Sequence, residues 1–110
     1  MDNLALKKCV PCEGGVAPLL KEQADPYLAQ VLGWKLSDDG KKISREFEFK
    51  DFKESMAFIN KVADIAESEG HHPDIFVFYN KVRMELWTHA IGGLSENDFI
   101  MAAKINQVLA

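Results

Sequence analysis

Across residues 52–66 the apolar side chains recur at the spacing of one helical face. Phe52, Met56, Ile59, Ala63 and Ala66 form the stripe, and Phe58, Val62 and Ile65 widen it. Asp51 stands at the capping position with Glu54 three residues on, and Gly70 and Pro73 close the element. Immediately upstream the period drops to two. In ISREFEFK, Ile43, Arg45, Phe47 and Phe49 share one face, while Ser44, Glu46 and Glu48 share the other, which is the alternation of a half-buried strand. Residues 34–36 read as a shorter strand, and SDDGKK between the two predicts a hairpin.

After His-His-Pro, the run DIFVFYNKVRMELWTHA is rich in β-branched and aromatic residues and too long for one strand. Asn80-Lys81 divides it into strands over residues 75–79 and 82–89. In the second, Val82, Met84, Leu86 and Thr88 face one way, and Arg83, Glu85, Trp87 and His89 the other. IGGLSEND then turns into a last helix, with Ser95 and Asp98 at capping-box spacing and Ile100, Ala103 and Val108 among its apolar positions. Before the first strand, APLLKEQADPYLAQVLGW predicts helical turns on each side of Pro26. The proline either kinks one helix or opens a second, with Gly33 as the stop. Residues 1–15, with Pro11, Gly14, Gly15 and both cysteines, read as an irregular arm. The order helix, strands, helix, strands, helix predicts an α+β fold, an antiparallel sheet with helices on one face. With 110 residues, the chain is long enough for one such domain, spanning 1–110, and not for two of ordinary size.

Composition narrows the function classes. Thirteen Lys and Arg against seventeen Asp and Glu give a net charge of −4, which argues against an electrostatic nucleic-acid binder. No apolar run approaches the ~20 residues that span a bilayer, and the start MDNLALKK lacks the apolar stretch of a secretory signal. The expectation is a cytoplasmic domain with no membrane partner. Cys9 and Cys12 are too few for a disulfide scaffold. Their C-x-x-C spacing suits a redox pair or half of a zinc site, but neither context surrounds it, and an incidental pair in the arm is the simpler reading. No phosphate-binding glycine motif occurs.

All three histidines fall between His71 and His89. Imidazole gives and takes protons near neutral pH, so His71, His72 and His89 are candidates for an acid–base site. Glu67 precedes His71 by one helical turn and, if the helix persists that far, can orient its ring, and Asp98 adds a further carboxylate near the same end of the chain. Two plainer roles compete. A histidine at a helix end is a favourable charge on the dipole, and Asp98 in a first helical turn is another. Three histidines can also hold zinc, but adjacent residues seldom point at one ion, and no H-x-x-x-H or H-x-H spacing occurs. The expectation is no metal. Trp87 either stacks on a flat ligand or covers the sheet.

The segment ESEGHHP over residues 67–73, followed by Tyr79-Asn80-Lys81-Val82, Thr88-His89 and Gly93-Leu94-Ser95 with Asp98, resembles the pterin-4a-carbinolamine dehydratase family. That family is also called the dimerization cofactor of a homeodomain transcription factor. Gly33-Trp34 and FEFKDF extend the resemblance upstream, and the opening KCVPCEGG is similar to bacterial members. The resemblance implies a four-stranded antiparallel sheet with helices on one face, assembled as a homodimer or homotetramer. It implies dehydration of a 4a-hydroxytetrahydropterin to quinonoid dihydropterin, regenerating the cofactor that aromatic amino acid hydroxylases oxidise. The pterin is then the substrate, and no separate cofactor is needed.

Carried over by position, the resemblance makes His71 and His89 the acid–base groups, with His72 positioning the pterin. Glu67 orients the histidines, Thr88 and Trp87 contact the ligand, and Asp98 sits near the ring or holds His89. Three positions depart from the family's common pattern. Gly70 replaces an acidic residue, Ile75 beside Phe76 replaces a Trp, and Trp87 replaces a smaller side chain. They leave room for a different pterin, such as one related to the molybdenum cofactor. A protein-binding or assembly module is the reading from another class.

Overall fold

The computed structural model describes residues 4–10 and 16–109. Four strands form one antiparallel sheet: β1 (Lys35–Leu36), β2 (Ile43–Glu48), β3 (Asp74–Phe78) and β4 (Lys81–Leu86), in the order β1-β2-β4-β3. Three helices accompany it, α1 (Lys21–Leu28), α2 (Phe52–Glu69) and α3 (Glu96–Leu109).

Register puts alternate residues on a common inner face. Ile43 pairs with Leu86, Arg45 with Met84 and Phe47 with Val82. Ile43, Phe47, Val82, Met84 and Leu86 are all buried, together with Phe58 and Val62 of α2 and Phe99, Ile100 and Ile105 of α3. The opposite face carries the exposed Glu46, Glu48, Lys81 and Arg83. Arg45 points inward and is half-buried. Its guanidinium lies 4.8 Å from the Phe47 ring centroid and donates to Leu32 O and to Asn106 Oδ1.

The α2 cap forms as its spacing predicts. Asp51 Oδ1 accepts from the Glu54 N–H at 2.8 Å, and the helix closes on Gly70 in the left-handed region at φ 66°. The buried face is rotated from the expected stripe. Its centre runs through Ser55, Phe58, Val62 and Ala66, while Phe52 and Ala63 are exposed. The cause is the sheet: the Phe47 and Phe49 rings pack tilted against Phe58 at 4.8 and 5.0 Å between ring centroids, which fixes the angle of the helix about its axis. Ser55 tolerates burial because its hydroxyl donates to Asp51 O.

Both hairpins form, with adjusted ends. In the β1–β2 turn, Ser37 Oγ donates to Asp39 Oδ1. The β3–β4 turn is two residues, and Tyr79, expected inside the strand, occupies its first position with φ 55°. Phe49 and Asn80 clamp this turn to β2 through Phe49 N–H to Asn80 O at 2.7 Å and Asn80 Nδ2 to Phe49 O. Pro26 does not open a second helix. The helix runs through it and ends two residues later. The N-terminal arm is less irregular than expected. Leu4–Leu6 makes a 3-10 turn with Leu4 and Ala5 buried against α3. Pro11, Cys12, Gly14 and Gly15 lie outside the described residues, and so does the second half of the C-x-x-C.

Candidate active site

The start of α3 organises the site. Ser95 immediately precedes the helix, and Asp98 reaches back over the first turn so that Oδ2 accepts the Ser95 N–H at 3.0 Å. The same oxygen accepts the Thr88 hydroxyl at 2.9 Å, and the Thr88 and Ser95 hydroxyls are themselves 2.8 Å apart. The other oxygen, Oδ1, lies 2.6 Å from His71 Nε2. Asp98 is completely buried. A carboxylate tolerates that only with hydrogen-bond donors around it, and a helix N-terminus adds favourable field. His71 has no other side-chain partner among the described residues, so its second ring nitrogen is free for a ligand.

Glu67 does not orient His71. The spacing argument assumed a helix continuing past Gly70. The left-handed turn there swings the chain away, and Glu67 Oε2 meets His72 Nε2 at 2.5 Å instead. This second pair is largely in solvent, with side chains 57% and 78% exposed, whereas the His71 side chain is only 12% exposed. Asp98, expected near the ring or on His89, holds His71.

His89 does not end a strand. β4 stops at Leu86, Thr88 makes an isolated bridge with Gly93, and His89–Ile91 forms a 3-10 turn closed by Gly92 at φ 64°. The loop is cinched by the Thr88 N–H donating to Gly93 O at 2.8 Å. The His89 ring rests on Trp87 with centroids 4.0 Å apart and planes 39° apart. Trp87 is fixed in turn by its Nε1–H, which donates to Asp74 Oδ2, and by the Lys42 ammonium 5.2 Å from its ring.

These residues surround a cavity of about 520 Å³. Ligand sites span roughly 300–1,000 Å³, so the space suits a bicyclic ligand. His71, His72, His89, Trp87 and Thr88 line it, while Glu67 and Asp98 stand outside the lining. Another part of the lining was not legible in the sequence: Cys9 and Val10 from the arm, with Glu69 and Asn97. No periodic or motif signal ties the arm to residues 69 and 97, which are distant in the chain. Cys9 is not an activated nucleophile. Burial, reinforced by the Glu69 carboxylate beside it, pushes its thiol up to about 12. Among the described residues, no three His, Cys, Asp or Glu side chains are grouped to hold a metal ion. No helix among them is long and apolar enough to cross a membrane.

Comparison with known proteins gives this geometry a context. Residues 17–108 match the family described as pterin 4 alpha carbinolamine dehydratase. A Nitrosomonas eutropha protein, named provisionally as such a dehydratase, is 56% identical over 108 residues, covering 97% of this chain and 94% of its own. Pterin-4-alpha-carbinolamine dehydratase 2, mitochondrial, of Arabidopsis thaliana is 51% identical over 96% of this chain and 59% of its own length. Among solved structures, a transcriptional coactivator/pterin dehydratase from Brucella melitensis superimposes with a TM-score of 0.80 at 35% identity, covering 84% of this chain and 99% of that one. A pterin dehydratase-like RuBisCO assembly factor of the alpha-carboxysome, 21% identical over 69% of this chain and 88% of its own, shares the fold with a TM-score of 0.60. With the match spanning nearly all of its sheet and helices, this chain belongs to the pterin 4 alpha carbinolamine dehydratase family.

Proposed function

We propose that this chain dehydrates a 4a-hydroxytetrahydropterin by histidine acid–base catalysis. The reaction needs one proton delivered to the C4a hydroxyl oxygen and one removed from N5. As the C4a–O bond breaks, the N5 electrons form the C4a–N5 double bond, and water and quinonoid dihydropterin leave. In this reading His71 and His89 exchange the two protons. The observation that carries it is the His71–Asp98 pair, a half-buried imidazole held at Nε2 by a fully buried carboxylate and facing a cavity that two further histidines line. An anionic acceptor fixes the tautomer and balances the charge that forms when the free ring nitrogen takes a proton.

His72, tied to a solvent-exposed Glu67, serves to position the pterin rather than to carry protons. Thr88 fixes Asp98, and Trp87 supplies the surface on which His89 lies. The natural substrate is of the tetrahydrobiopterin type, recycled after oxidation by an aromatic amino acid hydroxylase. The reading extends to self-association. β3 is an edge strand with Phe76, Val77 and Phe78 exposed and the exposed Tyr79 in the turn after it, and such edges pair with another chain unless blocked. Light scattering on the purified protein reads the oligomer directly.

The test is the dehydration rate of 4a-hydroxytetrahydropterin generated in situ by a pterin-dependent hydroxylase. Acceleration by the wild-type chain, lost in His71→Ala and His89→Ala, is the expected result. A folded wild-type protein that gives no acceleration over the spontaneous reaction overturns the reading.

A further inference from the structure

One part of the cavity wall lies outside the residues that the family model matches. That match begins at residue 17, yet Cys9 and Val10 line the cavity together with the histidines. This wall is not a loose arm resting on the surface. Asn97, only 4% exposed, holds Val10 by both backbone groups: its Oδ1 accepts the Val10 N–H at 3.0 Å, and its Nδ2 donates to Val10 O at 2.6 Å. The Cys9 N–H donates to Glu69 Oε1 at 2.8 Å. Further back, Lys104 Nζ donates to Ala5 O at 2.8 Å, and Leu4 is buried in the core. The arm is therefore bonded to the last residue of α2 and to the first turn of α3, the two elements that flank and anchor His71.

We propose that residues 4–10 are a specificity wall of the pterin site, with Asn97 as the positioning residue that pins the wall and Val10 as the side chain that meets the ligand. The inference rests on the dehydratase reading and adds to it a determinant of substrate binding. Asn97 is adjacent to Asp98, so one helical turn holds both the His71 ring and the arm that lines the same cavity. From residues 4–10 the wall presents an aliphatic side chain and a thiol that stays protonated at neutral pH, whereas the Glu69 carboxylate in the same lining belongs to α2. The arm therefore acts on binding rather than on the bond-breaking step. Val10 is 67% exposed, which leaves its side chain for a ligand to cover and makes substitution there safe for folding.

The experiment measures KM and kcat for dehydration of two 4a-hydroxytetrahydropterins, with a methyl and with a dihydroxypropyl group at C6. The proteins are wild type, Asn97→Ala, Asn97→Gln, Val10→Ala and Val10→Trp, with melting temperatures recorded for each. Freeing the arm by Asn97→Ala should raise KM about fivefold to tenfold with kcat within about twofold, the pattern of lost uniform binding. Asn97→Gln, which keeps both polar functions, should recover part of that loss. Val10→Trp should change the ratio of the two substrates' kcat/KM by about threefold or more at unchanged melting temperature. Wild-type kinetics in both Val10 variants, or a fall in kcat alone in Asn97→Ala, overturns the specificity wall while leaving the dehydratase reading intact. Absence of catalysis by the wild-type chain overturns the dehydratase reading and, with it, the wall as a pterin-binding element.

Discussion

His71 and Asp98 stand 27 positions apart in the chain, yet His71 Nε2 lies 2.6 Å from an Asp98 oxygen that no solvent reaches. The other Asp98 oxygen caps α3 and takes the Thr88 hydroxyl, so one carboxylate joins the helix start, the end of the sheet and the imidazole. Asp98→Asn keeps the shape but removes the negative acceptor, and turnover is expected to fall about 100-fold or more. Asp98→Ala additionally leaves the Ser95 N–H and the Thr88 hydroxyl without this acceptor, at a cost of about 1–3 kcal/mol for each group left unsatisfied. Turnover and thermal melting measured on both variants separate the two effects. Equal activity in wild type and Asp98→Asn would remove the carboxylate from the mechanism.

The two neighbouring histidines should respond differently. On the proposed mechanism His71 carries a proton, so His71→Ala should lower kcat by about 10²–10⁴. His72→Ala should raise KM and leave kcat within about tenfold. Its partner Glu67 is 78% exposed, so Glu67→Ala should change stability by no more than about 1 kcal/mol. Steady-state kinetics with chemical denaturation checks all three, and a larger kcat loss in His72→Ala than in His71→Ala reverses the assignment.

Trp87 fixes His89 by contact, and Asp74 fixes Trp87 by a hydrogen bond. Trp87→Phe retains a ring for His89 and loses the bond to Asp74, so a loss in kcat/KM of about threefold to tenfold is expected. Trp87→Ala removes the surface altogether and should cost more. An Ala variant as active as the Phe variant would show that the ring contact is idle.

Cys9 gives the pH-dependent prediction. Its folded-state value of about 12 stands above the ordinary 9.0, mainly through burial and then through Glu69. The folded state keeps the proton where the unfolded state has lost it. Any stability this contributes is fully present below about pH 9 and is lost as the pH rises from 9 toward 12. In a Cys12→Ser background, alkylation of Cys9 by iodoacetamide should be slow at pH 8–9 and rise only at higher pH. Glu69→Gln keeps an acceptor for the Cys9 N–H and removes the charge, so labelling should accelerate at the same pH. Rapid alkylation of the parent protein at pH 8 would contradict this picture.

Gly93 is required by packing rather than by a special dihedral angle. A Cβ there would stand 2.7 Å from Pro18 Cβ, inside the loop that brackets His89. Gly93→Ala should destabilise by about 1–3 kcal/mol and lower the melting temperature visibly. An unchanged melting curve would mean that the segment around Pro18 yields freely.

The local features were legible because neighbours in sequence decide them. The capped start and glycine stop of α2, the alternation of β2 and β4, and the β1–β2 hairpin each depend on residues a few positions apart, and each formed. The histidine trio was visible as a cluster of imidazoles, and the resemblance in residues 67–98 named the family that comparison then showed. Where local rules were extended through a break, they misplaced partners. Glu67 and His71 have helical spacing, but Gly70 leaves the helix between them, so a four-residue rule no longer describes who meets whom. The strand expected to reach His89 ends at Leu86 because Thr88 pairs instead with Gly93 across a small closed loop.

Periodicity alone could not set the angle of α2, the carboxylate behind His71 or the docking of the arm. The contacts that settle these, Phe58 on Phe47, Asp98 on His71 and Asn97 on Val10, join residues of different elements, 11, 27 and 87 positions apart. Helical and strand periods fix which residues share a face. Which face meets which partner follows only when the sheet and all three helices bury their apolar sides together and every buried polar group must find a hydrogen bond.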